Sequence, residues 1–129
     1  MGNGTSIGRV RGLGAARGGV VHHWLLQRFT SIGNLLTVLF LAVSLVLLPD
    51  YNYATMVEWI ARPVPAVAMI LLVITTFWHA RLGLQVLVED YVHEHGNKFA
   101  CIAALNLAAC AGIAFGVFCI VRLALGAHA

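Results

Sequence analysis

Leu71-Leu72-Val73-Ile74-Thr75-Thr76-Phe77-Trp78-His79-Ala80-Arg81-Leu82-Gly83-Leu84-Gln85-Val86-Leu87-Val88-Glu89-Asp90-Tyr91 is the stretch that decides the fold. It continues an apolar run that opens near Val64. That run exceeds the roughly 20 residues a helix needs to cross hydrocarbon. His79 and Arg81 lie inside it. A polar ring in hydrocarbon is costly, and an intramembrane histidine is read by default as a functional group. Asp90 follows His79 by eleven residues. At about 100° per residue the two return to nearly one helix face, separated by about 16 Å of rise. One face then carries a candidate ligand deep in the bilayer and an acid–phenol pair, Asp90 and Tyr91, at the water edge.

Outward from this stretch, two more runs reach spanning length. The first covers roughly residues 29–48 and stops at Pro49-Asp50; the third covers roughly 99–125. The second, roughly 64–88, is preceded by Pro63 and Pro65. Of the 129 residues 60% are hydrophobic and 10% charged, and the mean hydropathy is +0.88. Soluble domains carry about 25% charged residues, so a water-soluble enzyme domain is excluded. Each run should be helical, because only helices and closed barrels satisfy their backbone in lipid. The expectation is an all-α membrane protein of three transmembrane helices, part of a multi-subunit helical bundle. Residues 1–21 read as a flexible basic N-terminal segment and 22–129 as the three-helix membrane anchor domain.

The charge pattern sets an orientation. Arg9, Arg11, Arg17 and Arg28 precede or open the first span, whereas the loop before the second has Arg62 with Asp50 and Glu58. The positive-inside rule places the N-terminus in the cytoplasm, and with it the loop from Glu89 to Lys98. A basic N-terminus of this kind is an orientation signal rather than a mark of nucleic acid. A chain that starts at Met1 without a clear transit peptide favours a bacterial inner membrane over a mitochondrial one. Cys101, Cys110 and Cys119 stand nine residues apart. That is about 13 Å along a helix, beyond disulfide reach, so they read as packing residues.

Neutral imidazole is a common axial ligand of haem iron. Gly83, one turn beyond His79, leaves room for a flat macrocycle or another backbone. The bland reading is a histidine bonded to a polar group on a neighbouring helix. Arg81 lies about 200° around from His79 and is placed to snorkel toward the cytoplasmic interface, or else to pair with a haem propionate or a residue of another subunit. Tyr91 can donate to a quinone carbonyl, and Asp90 or His93 can relay protons; alternatively the segment is a solvated helix end. Arg28 can clamp anionic groups such as haem propionates, with His22 close by, or it serves orientation alone. Trp24 and Trp59 are expected at the interfaces with their N–H groups wet. Asn34 and Asn106 are candidate interhelical hydrogen bonders.

The segment from His79 through Gly83 to Asp90-Tyr91-Val92-His93 resembles the signature of the small D-type membrane-anchor subunits of succinate dehydrogenase (complex II). The resemblance covers most of the chain from Arg17 to Leu125, and the histidine-to-tyrosine motif is its specific part. It implies that His79 ligates a haem b whose second axial ligand comes from a C-type cytochrome b anchor subunit. It implies that Tyr91 and Asp90 belong to a ubiquinone pocket, and that Arg28 and His22 lie near the haem propionates. Arg81 falls at a position that varies in that family. An iron–sulfur subunit and a flavoprotein subunit are the implied partners, together with membrane lipid and without nucleic acid. Succinate oxidation belongs to the flavoprotein, so no catalytic residue is assigned to this chain. The competing readings are a non-redox membrane scaffold or proton/transporter subunit using His79, Arg81 and Asp90, and the anchor of a fumarate reductase.

Overall fold

The computed structural model of the chain describes residues 7–126. Four helices follow in order: α1 (Ile7–Val46), α2 (Tyr53–Ala61), α3 (Pro63–Tyr91) and α4 (His95–Ala124). Among the described residues there is no strand. The portions long and apolar enough to cross a membrane are Val21–Val46, Pro63–Tyr91 and His95–Ala124. All three expected spans are present, and each helix begins before the apolar run does. α1 begins at Ile7, well ahead of residue 22, since no proline interrupts the segment. The first six residues of the expected flexible segment lie outside the described residues.

Local chemistry sets the boundaries. α1 ends three residues before Pro49, which cannot continue a helix. The connection to the second span was expected to be plain loop, but it contains α2. Asn52 caps α2, its side-chain oxygen accepting from the Thr55 N–H at 2.9 Å, the preferred solution for a free helix donor. α3 opens on Pro63, where the missing N–H costs nothing. α4 ends at Ala124, and Gly126, two residues on, takes φ 74°.

α3 is the central helix. It packs against both α1 and α4, whereas α1 and α4 do not pack on each other as helices. The α3–α4 contact is close because α4 offers two glycines. A Cβ on Gly116 would sit 2.7 Å from Val73 Cγ1, and one on Gly112 would enter the Phe77 ring. Small residues let membrane helices approach in this way, where packing rather than the hydrophobic effect drives association. The α1–α3 contact carries polar bonds instead. Asn34 Oδ1 accepts from Thr75 Oγ1 at 2.6 Å and Thr76 Oγ1 at 3.2 Å, as expected of an interhelical asparagine.

The core lies at one end of the molecule. Leu41, Trp59, Ile60 and Ala68 form it, with Leu123 and Ala124 of α4 against them. α2 thus closes the end where α1 stops and α3 starts. Trp59 departs from expectation: it is 4% exposed, and its N–H donates to Ser44 Oγ at 2.7 Å. A polar group within a helix of α1 has replaced water as its partner. Among the described residues the opposite end of the α1–α3 pair has no such plug. Most of every spanning helix remains exposed within the single chain, including Phe29, Leu36, Phe99, Leu107 and Phe115.

Candidate functional site

Helix α3 turns His79 toward α1. Its Nδ1 lies 3.0 Å from Thr30 Oγ1 and 3.5 Å from Ser31 Oγ. Thr30 is buried, and its hydroxyl also lies 2.9 Å from Leu26 O and 3.0 Å from Gln27 O. Ser31 Oγ donates to Gln27 O at 2.9 Å. Among the described residues nothing meets His79 Nε2, and that atom is not sealed from its surroundings. One ring nitrogen is therefore held by polar groups of the neighbouring helix, as the bland reading expects, and the other is open, which leaves it available as a metal ligand. Among the described residues no group of three His, Cys, Asp or Glu could hold a metal ion on its own. A single imidazole suits a metal whose other ligands come from elsewhere, as haem iron's do.

Toward the C-terminal end of α3, α1 and α3 part to leave a cleft of about 700 Å³. His23, Trp24 and Gln27 line it from α1, and Gly83, Gln85 and Glu89 from α3. Three buried polar atoms in it have no partner: His23 Nε2, Gln27 Oε1 and Gln85 Oε1. The Gln85 amide is fixed, because its Nε2 donates to Glu89 Oε1 at 2.7 Å; its orphan is therefore an acceptor. Buried polar atoms are paired in stable proteins, so these three mark a wall that is not satisfied within the chain. Gly83 lies in its wall one turn past His79. A Cβ there would meet only Gln27 Nε2, at 3.6 Å. Helix α1 does not itself require the glycine, and bare backbone is left facing the cleft.

The other expected site residues stay apart from His79 within the chain. Asp90 and Tyr91 occupy the last turn of α3, exposed, Tyr91 at 76%. Their side chains make no hydrogen bond among the described residues. His22 and Arg28 are exposed on α1, and the Arg28 guanidinium stacks 4.0 Å from the Trp24 ring centroid. Arg81 is engaged by the neighbouring helix. Its Nε donates to Asn106 Oδ1 on α4 and its guanidinium lies 5.3 Å from the Trp78 ring. Asn106 thereby acts between helices as expected, and Arg81 faces away from the His79 side. Cys101, Cys110 and Cys119 are free thiols.

Sequence reasoning missed Thr30 and Ser31, and it missed the polar wall of His23, Gln27, Gln85 and Glu89. Gln27 and Gln85, amides beside apolar runs, were the available signal for the second group.

The model of the succinate dehydrogenase/fumarate reductase transmembrane subunit family matches residues 1–115. The chain belongs to that family. Its relatives include the succinate dehydrogenase hydrophobic membrane anchor subunit of Rickettsia bellii, 33% identical over 103 residues, or 80% of this chain and 82% of that protein. The subunit of the same name in Rickettsia conorii is 30% identical over 120 residues, covering 92% and 86%. That of Paracoccus denitrificans is 30% identical over 116 residues, covering 90% and 88%. This transmembrane subunit therefore has relatives of its own length, and its three apolar helices are those of a membrane anchor.

Proposed function

We propose that this chain is the hydrophobic membrane-anchor subunit of a succinate dehydrogenase in a bacterial inner membrane, with its N-terminus in the cytoplasm. Family membership supports the anchor role. The arginines at positions 9, 11, 17 and 28 support the orientation by the positive-inside rule. The observation that carries the site assignment is the open Nε2 of His79 beside an anchored Nδ1. Through Nε2, His79 would hold one face of a haem b, and a C-type sister anchor would supply the other axial ligand. When bound, the haem supplies one-electron redox chemistry tuned by its axial ligands and their hydrogen bonds. Arg28 and His22, both solvent-facing on α1, provide cationic and donor groups for its propionates.

At the end of α3, the Tyr91 hydroxyl is free to donate to a quinone carbonyl and Asp90 is free to accept or pass a proton. Their exposure suits a ubiquinone pocket completed by the sister anchor and the iron–sulfur subunit, with the flavoprotein beyond. Ubiquinone takes up two electrons and two protons there and leaves as ubiquinol. A proton or transporter path is less well supported, since Arg81 is engaged toward α4 and His79 toward α1. The relatives named as succinate dehydrogenase subunits favour that direction over fumarate reduction.

The test is purification of the complex through a tag on this chain. A b-type absorption band should accompany it, and His79→Ala should abolish or shift that band. A band untouched by the substitution would overturn the ligand assignment.

A further inference from the structure

A histidine can ligate through Nε2 only in the tautomer that carries its proton on Nδ1, so whatever selects that tautomer positions the ligand. Thr30 is the buried group that meets Nδ1, at 3.0 Å. Its single hydroxyl proton has helix carbonyls close by, Leu26 O at 2.9 Å and Gln27 O at 3.0 Å. Threonine in a helix bonds back to such carbonyls readily. With the proton spent there, Thr30 Oγ1 presents only lone pairs to the imidazole. Ser31 behaves alike: its hydroxyl bonds back to Gln27 O at 2.9 Å and its oxygen stands 3.5 Å from the same Nδ1. Two acceptors around one ring nitrogen demand a donor. We infer that Thr30, seconded by Ser31, is a positioning residue that fixes His79 with its proton on Nδ1 and its Nε2 lone pair free for iron. This inference rests on the haem reading above.

The same contact sets ligand strength. A neutral hydroxyl draws on the N–H less than a carboxylate does, so His79 is held in orientation without being driven toward imidazolate. Removing the acceptor makes the imidazole a weaker donor to iron. The ferric state, which depends more on that donation, then loses more than the ferrous state, and the potential rises. Partners of this kind are typically worth ten- to a hundredfold in metal affinity. A tenfold change in the ferric-to-ferrous affinity ratio reads as about 59 mV for a one-electron couple.

The test uses the whole purified complex with Thr30→Val, Thr30→Ser and Thr30→Val/Ser31→Ala. Valine keeps the shape and removes the acceptor; serine keeps the acceptor. The readouts are haem content, midpoint potential by redox titration and the low-spin ferric EPR signal. The expected result is an upward shift on the scale of one tenfold step in Thr30→Val, a larger one in the double variant, and wild-type values in Thr30→Ser. Loss of haem in Thr30→Val with retention in Thr30→Ser also supports the assignment. Equal potentials and EPR signals across the series, or equal haem loss in Thr30→Val and Thr30→Ser, would overturn it. His79→Ala is the separate control. If its haem band persists, the ligand assignment itself fails; if the band is lost while the Thr30 series is flat, only the positioning role fails.

Discussion

Asn106→Leu isolates the cost of a cation left alone in the membrane. In the wild-type chain Asn106 Oδ1 accepts from Arg81 Nε, and the Trp78 ring at 5.3 Å is the guanidinium's other contact. Leucine at 106 fills a similar volume, so little cavity term arises. What disappears is a hydrogen bond to a charged group, worth about 1.5–3 kcal/mol. The remaining cation–π contact contributes about 0.5–2 kcal/mol at best. Stability should fall by about 1.5–3 kcal/mol, on the order of ten- to a hundredfold in the folded fraction. Adding Arg81→Leu should reverse this. An arginine at mid-span costs about 2.5–3.5 kcal/mol on insertion scales, and its removal takes away both the orphaned charge and its penalty. The assay is thermal unfolding of the purified complex in detergent for the wild type, both single variants and the double variant, read as a double-mutant cycle. A double variant whose loss equals the sum of the two single effects would refute the coupling. So would an Asn106→Leu that melts with the wild type.

Trp59→Ala should destabilise the α2 end by about 3–5 kcal/mol, whereas Trp59→Phe should lose roughly the 1 kcal/mol of its bond to Ser44; melting temperatures separate the two. Gly116→Leu should prevent α3 and α4 from closing, because even a Cβ would stand 2.7 Å from Val73, and it should reduce recovery of assembled complex from membranes. Tyr91→Phe should depress succinate-driven quinone reduction at least tenfold, within the range of a lost positioned proton donor, while succinate oxidation with an artificial acceptor persists. Equal loss of both activities would contradict its placement in the quinone pocket.

The three spans were legible because length and hydropathy alone determine what can cross a bilayer. Asn34 and Asn106 were legible as interhelical bonders because an amide in hydrocarbon needs a partner and few are within reach. His79 was legible through its cost. Thr30 was not, since a helical threonine can always satisfy itself on its own carbonyls; only the register of α1 against α3 turns its oxygen to the imidazole. Nor was α2. Nine residues between proline-flanked spans read as loop, and Trp59 read as an interface anchor. Its burial depends on Ser44, fifteen residues earlier, and no periodicity links the two. Gly112 and Gly116 needed the opposite helix in place before their absent side chains acquired meaning. The exposure of Asp90 and Tyr91 follows from their place in the last turn of α3.

The short helix α2 ties α1, α3 and α4 together at one end, and among the described residues nothing equivalent does so where His23, Gln27, Gln85 and Glu89 stand. The subunit is built like a clothes-peg, sprung shut at the far side and free at the jaw. The cleft at the jaw can widen without touching the core of Leu41, Trp59, Ile60 and Ala68 at the other end.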